Sequence, residues 1–442
     1  MRLSGRRTVR KRRMRPRGFL TMTVAGAVLA GCGIAAHAIF PHAGSAGGLR
    51  GATPTFAGAP KARPVPQIPA LDGLPAVQYS PAAPPPAWRG PVWYPILIAD
   101  RGNNRMMVVS PDKQVLWAYP PAGGLPPGQN FGSDDDAFFT PDGSAVITNE
   151  EHDGTITAVN FYTAKPVWSF GTFGKDAYGQ RLLNWPDDAY RLPDGTTIVA
   201  DIRNCRELFI NLQGQITQEW GKRQTGYCKT DPEHGYLGYP NGDTPQANGD
   251  ILLSLINGNR IVLMSSAGQV IWDVHAPDIG AHGGYVSDPQ LLPDGDVLVA
   301  DYNGLTQGGL HHQPNPGGAP GKVVIFNPHT LQVDWQYDAT SGAGVLDHPS
   351  LAEALPNGDI ILCDDYNDRV AVIDRTTKSI VWQYGVTGKA GTAPGYLDTP
   401  DGFALDFFRN WQGWLQQQGP NFQVGPFVGR SPTAVGAPSA AS

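Results

Sequence analysis

From residue 91 onward the chain is written in short apolar runs that alternate with polar positions, and each run stops at a turn word. One unit shows the grammar. "DAYRLPDG" leads through an Asp-Gly turn into "TTIVADIRN", then "RELFINLQG", then "QITQEWG", which is four short strands separated by turn residues. The turn words return as "TPDG", "LPDG", "ANGD", "LPDG", "LPNG" and "TPDG". A tryptophan recurs near the end of each unit, at Trp117, Trp168, Trp220, Trp272, Trp335 and Trp382. Spacings of 51, 52, 52, 63 and 47 residues give a period near fifty, the length of one four-stranded propeller blade.

The first unit opens on "ILIADRGNNR", its second strand, and has no first strand of its own. The missing piece stands at the far end, where "LDTPDGFALDF" (397–407) repeats the first-strand word with nothing after it. The pattern therefore predicts an all-β fold over 91–407, a six-bladed β-propeller closed by the C-terminal strand completing blade one. Closure removes open sheet edges, so the propeller is expected to be a monomer. The spacing of 63 comes from "GLTQGGLHHQPNPGGAPG" (304–321), inserted between the second and third strands of blade five. An insertion of that length is a lid, a partner-binding finger or a tolerated surface loop.

Two repeat families resemble these words. "IADRGNNRMMVVS" and "CDDYNDRVAVID" are similar to NHL repeats, while "IDRTTKSIVW" and "FNPHTLQVDW" are similar to the PQQ-type repeat, whose last-strand tryptophan docks on the neighbouring blade. The resemblance implies the fold and leaves the function open, because such repeats serve lyases, hydrolases, dehydrogenases and binding scaffolds. The tryptophan word itself reads as structural, since it recurs in every blade and an active site needs asymmetry.

Composition agrees with an all-β reading: 55 Gly and 41 Pro with only 16% charged residues favour turns and short strands over long surface helices. Charge adds a compartment. Residues 1–17 hold nine Arg or Lys and no acid, so the net −6 of the whole becomes −15 for the rest. An acidic body excludes a nucleic-acid partner, and the basic stretch reads as a topology signal. Residues 18–40 contain the apolar run "FLTMTVAGAVLAGCGIAAHAIF", long enough to span a bilayer as an anchor with its basic end in the cytoplasm. Leu29-Ala30-Gly31-Cys32 also resembles a lipoprotein cleavage site, and Arg6-Arg7 a twin-arginine signal; all three routes place the body outside the cytoplasm. Residues 41–90 are a Pro/Ala/Gly-rich linker, and 408–442 a short helix, with Phe407, Trp411, Trp414 and Leu415 on one face, followed by a disordered tail. In an oxidising compartment Cys205 and Cys228 are the expected disulfide, and Cys363 a buried small hydrophobe.

Candidate chemistry gathers at one end of the ring. Aligning the six first strands puts Asp135, Asp187, Asn241, Ser287, Ser350 and Asp401 at one equivalent position, with Asp136, Asp188 and Asp288 one place later. Such a ring at the mouth of the central channel binds a cation or the donor groups of a ligand, or else bonds the converging backbone. Seven of the ten histidines (152, 234, 275, 282, 311, 312 and 348) fall in segments on the same face, without a spacing that pairs them as metal ligands. The metal is unknown from sequence, with calcium for an oxygen ring and zinc for histidines as the two options.

Two enzyme families resemble parts of this face. "DPQLLPDGDVLVADYNG" and "DHPSLAEALPNGDIILCDD" are similar to the words of arylsulfate sulfotransferases, extracytoplasmic propellers with a histidine nucleophile in the channel. The resemblance implies His348 as that nucleophile, with an arginine near the channel to hold the sulfate, although Ser287-Asp288 stands where a second His-Asp pair belongs; apart from the resemblance, the blade model places Glu353 as a carboxylate within an inner strand. "ADRGNN" is similar to a word of the peptidyl-hydroxyglycine lyases, which hold zinc with channel histidines, but the required three at inner-strand starts are missing. The expectation is a membrane-anchored extracytoplasmic propeller that binds a small-molecule ligand or protein partner on its loop-rich face. A sulfotransferase-like or lyase-like enzyme is the alternative.

Overall fold

A computed structural model describes residues 90–406 except 122, 123, 283, 308 and 309, together with 409 and 411. The expected anchor at 18–40, the expected linker and the residues beyond 411 lie outside the described residues. Among those described, no helix is long and apolar enough to cross a membrane.

Six four-stranded antiparallel sheets make a six-bladed β-propeller. The innermost strands are Asp134–Phe139, Pro186–Arg191, Pro240–Pro245, Tyr285–Leu291 and Pro349–Ala354 for blades two to six. In blade one the inner place is taken by Pro400–Leu405, which pairs antiparallel with Ile96–Asp100, Leu405 opposite Ile96 and Phe403 opposite Ile98. The second and third strands of the blades are almost wholly buried, as in Ile360–Asp364 and Arg206–Ile210. Insertion 304–321 forms a two-stranded ribbon, Thr306–Gln307 with Leu310–Pro314, rising from blade five.

The recurring word D-x-x-N-x-R is a latch. In blade one the Asp100 carboxylate accepts from Arg105 Nε (2.6 Å) and Asn103 Nδ2 (2.9 Å), and its second oxygen accepts the Asp398 N–H (2.7 Å). Arg105 goes on to donate to the carbonyls of Thr392 and Tyr396, in the loop that leads into Pro400–Leu405. The same set recurs as Asp201, Asn204 and Arg206 against the Asn184 N–H and the Gly179 and Leu182 carbonyls, and as Asp364, Asn367 and Arg369 against the Asp347 N–H and the Ala343 and Val345 carbonyls. Each latch therefore ties a blade's second and third strands to the loop that delivers its own inner strand. All three arginines are essentially inaccessible, at 1 to 2%.

Other blades solve the same problem differently. In blade two Glu150 replaces the latch aspartate and accepts from the Gly132 N–H and the Thr157 hydroxyl. The loop into blade four is pinned by a Cys205–Cys228 disulfide, with Cα atoms 5.7 Å apart, and by Asn257 Nδ2 donating to the Cys228 carbonyl. Cys363 is a buried free thiol.

At the opposite face the tryptophans join blade to blade. Indole N–H groups of Trp117, Trp168, Trp335 and Trp382 donate across to the carbonyls of Phe161, Leu212, Arg375 and Pro111, each in or beside the turn between the third and fourth strands of the next blade. Trp382 to Pro111 (2.9 Å) joins blade six to blade one. Trp220 lies against Gly268 in the corresponding turn of blade four, where an added Cβ would sit 2.7 Å from the indole nitrogen.

Removing one partner of a latch leaves a buried charge uncompensated, which costs about 3–5 kcal/mol, whereas replacing the pair with apolar groups costs far less. In urea unfolding, Arg369→Met is expected to lower stability by that amount. Asp364→Leu combined with Arg369→Met should recover more than half of it, and additive losses would contradict the latch.

Candidate functional site

All six inner strands break register with their partners at the same level, between Asp134 and Ala137, Asp187 and Ala189, Pro240 and Asp243, Ser287 and Gln290, Pro349 and Ala352, and Pro400 and Phe403. A β-bulge at this point re-aims successive side chains that would otherwise alternate. The residues just ahead of five of these strands, Ser133, Trp185, Tyr239, His348 and Thr399, take positive φ, so the chain turns sharply into the ring.

The first tier holds the aligned residues Asp135, Asp187, Asn241, Ser287, Ser350 and Asp401, all buried at 1 to 8% exposure. Arg101 crosses this tier, its Nη1 2.7 Å from Asp135 Oδ1 and 2.5 Å from Asp401 Oδ2, while Nη2 pairs with Glu151. Burial opposes the Arg101 charge, yet Asp135, Glu151 and Asp401 together hold its pKa well above the usual range. On the other side Ser287 donates to Asn241 Oδ1 (2.9 Å), and Ser350 to Asp365 Oδ1 (2.8 Å) and the Asp401 carbonyl (2.6 Å). The serines thus satisfy the local framework, whereas the carboxylates outnumber their one cation.

The second tier holds Asp136, Asp188 and Asp288, with Gly402, Gly242 and Leu351 at the other three positions. Gly402 beside Asp136 and Gly242 beside Asp288 leave the space those carboxylates occupy; a Cβ on Gly242 would stand 2.6 Å from Asp288 Oδ1. Asp188 shares hydrogen bonds with both Asp136 and Asp288, and no N–H or O–H donor reaches Oδ1 of any of the three. Burial first, then repulsion from neighbouring carboxylates, Asp187 among them in each case, pushes all three carboxyls well above the usual aspartate range. Burial likewise lifts Asp187 to about 7, with Glu151 and Asp401 adding to it.

Blades five and six supply aromatics. Tyr285 stacks on Tyr302 (5.0 Å between centroids), and His348 stands between Tyr302 (4.8 Å) and Tyr366 (4.4 Å), with its Nδ1 2.8 Å from Asp347 Oδ1. The stalk of the blade-five ribbon reaches this pair, since Thr306 Oγ1 donates to Asp347 Oδ1 at 3.1 Å. Glu353 is five residues beyond His348 along the same strand, about 16 Å along its axis, so the two are not brought together.

Among the described residues the histidines do not converge. His152, His234 and His348 each contact a different carboxylate, Glu151, Asp231 and Asp347. Side chains that do converge among the described residues are Asp135, Asp136 and Asp187, with one ligand oxygen from each within 4.8 Å of the others. Two members of the mouth, Arg101 and Glu151, escaped the alignment of first strands. They occupy the position just after the latch acid at the end of the second strand, where the other blades carry Ile202, Ile256, Tyr302 and Asp365.

No known family profile matches the chain, and no curated protein matches it. Similar solved structures include a protein of unknown function from Bacteroides caccae, 17% identical with TM-score 0.46 over 70% of this chain and 97% of that one. Hydrazine synthase of Kuenenia stuttgartiensis is 13% identical with TM-score 0.43, over 65% of this chain and 75% of its own. Virginiamycin B lyase from Staphylococcus aureus is 15% identical with TM-score 0.36, over 57% and 69%. Likeness at this level does not bear on what this chain does.

Glu353, away from the mouth, gives the fold a pH signature. Burial alone raises its pKa from 4.5 to about 7. A group raised in the folded state contributes stability that is complete below its unfolded pKa and lost as pH rises through the folded value. Between pH 5 and 8 the wild-type chain should therefore lose about 2–3 kcal/mol that Glu353→Gln does not lose. Melting curves across that range check this, and parallel declines would contradict it.

Proposed function

We propose that this chain is a membrane-anchored, extracytoplasmic binding scaffold whose ligand or protein partner seats a cationic group in the channel mouth. One observation carries the reading: Asp135, Asp401 and Glu151 share a single guanidinium, Asp187 beside them has none, and the stacked rings of Tyr285 and Tyr302 feel the same carboxylates. Carboxylates and aromatic faces are the two features that attract a positive charge out of water. Neither is needed to build a blade, since Asn241, Ser287 and Ser350 fill equivalent places with neutral groups. The Cys205–Cys228 bond supports an oxidising compartment, and the basic segment ahead of residues 18–40 supports an anchor with the propeller outside.

An enzyme working at His348 is the second reading, favoured by the Asp347 contact that orients its ring between two tyrosines. The two readings part on one pair of variants. A fluorescein-labelled tetralysine peptide should bind the full chain in detergent micelles, and His348→Ala should bind it equally. Asp187→Asn combined with Asp401→Asn should weaken binding at least about tenfold, a loss of about 1.4 kcal/mol. Turnover of 4-nitrophenyl sulfate that disappears in His348→Ala would replace the scaffold with the enzyme.

A further inference from the structure

The mouth holds more carboxyl groups than Arg101 pairs with. Arg101 reaches Asp135, Asp401 and Glu151, and its hydrogen bonds and ion pairs do not extend to Asp136 or Asp187. Those two aspartates, with Asp135, bring one oxygen each within 4.8 Å of the others at 2 to 5% exposure. Two oxygens opposite each other on a calcium ion, at its usual 2.3–2.6 Å, lie about 4.6–5.2 Å apart, so the cluster has the span of one such ion. Asp136 Oδ1 lacks any donor, which is an independent sign that a positive charge is called for. The donor set is all oxygen, with no histidine or cysteine among the three, which suits a hard cation and not zinc.

We infer that Asp135, Asp136 and Asp187 form a divalent-cation site of the calcium class at the channel mouth, and that Arg101 is the internal cation competing for Asp135. This deepens the scaffold reading, on which it rests, by naming the cationic group that the mouth takes. The bulges in blades two and three shape the site, because without them Asp135 and Asp136 would point to opposite sides of one strand. Asp188 and Asp288 lie near enough to repel a charged Asp136, and Gly402 leaves the room that the Asp136 carboxyl takes up.

Calorimetric titration of calcium chloride into the EDTA-treated full chain in detergent tests this. One site per chain is expected, with a rise in melting temperature at saturation. Asp136→Asn and Asp187→Asn should each weaken it at least about tenfold. Arg101→Gln should tighten it, an effect that a diffuse acidic surface would not produce. Asp194→Asn, on an exposed turn at the other face, should leave it unchanged. Absence of calcium heat in both the wild type and Arg101→Gln, with circular dichroism showing folded protein, would overturn the site. Equal weakening by Asp194→Asn would also overturn it. Failure here is separable from failure of the scaffold: tetralysine binding to calcium-free chain would survive the first, and a calcium site without peptide binding would survive the second.

Discussion

The ring depends on buried guanidiniums placed where its loops meet its sheets. Arg105, Arg206 and Arg369 each neutralise an aspartate at the end of a second strand, then direct their remaining N–H groups to carbonyls of an inter-blade loop. A loop of a dozen irregular residues has backbone groups that water would otherwise satisfy, and the fork of an arginine satisfies two or three at once. The aspartate completes the bond set by accepting an N–H from the same loop. Burial alone would push Asp201 far from its ordinary range, and even with Arg206 beside it the carboxyl rises to about 6. Such a pair is therefore costly to break and gives conformational definition in return.

What the latches define is the mouth. They hold the loops leading to Asp401, Asp187 and Ser350, three of the six first-tier positions, and the turn into each strand through Thr399, Trp185 and His348 follows directly. Blade two reaches the same geometry with Glu150, and blade four with a disulfide. At the other face the tryptophans dock each blade on the next, so the two ends divide the labour: uniform contacts below and individual residues above. Irregularity at the mouth is thereby tolerated, because the fold does not need Asp135, Asp136 or Arg101 to be any particular residue.

That division also explains what the sequence disclosed. Tryptophan spacing set the blade register, and register alone located Asp135, Asp187 and Asp401 at one level, since strands of equal length starting from equal turns must align. Cys205 and Cys228 were legible as a pair for the same reason, both lying in segments of one face. Arg101 and Glu151 were not, because a residue after a second strand gains meaning only when six such strand ends converge. Nor did alternation within a strand foretell two tiers of aspartate, because a bulge sets Asp136 apart from Asp135. His348 and Glu353 stand five residues apart in the sequence, and an extended strand keeps them apart in the fold.

If the latches hold the loops, and through them the mouth, native-state amide hydrogen exchange reads it directly at Asp398, Asn184 and Asp347, whose N–H groups each donate to a latch aspartate at 2.7 Å. These three loop amides are then expected to exchange as slowly as those of the buried second strands, opening only with the sheets they are tied to. Exchange at the rate of an unprotected loop, while the second strands stay protected, would contradict the latch.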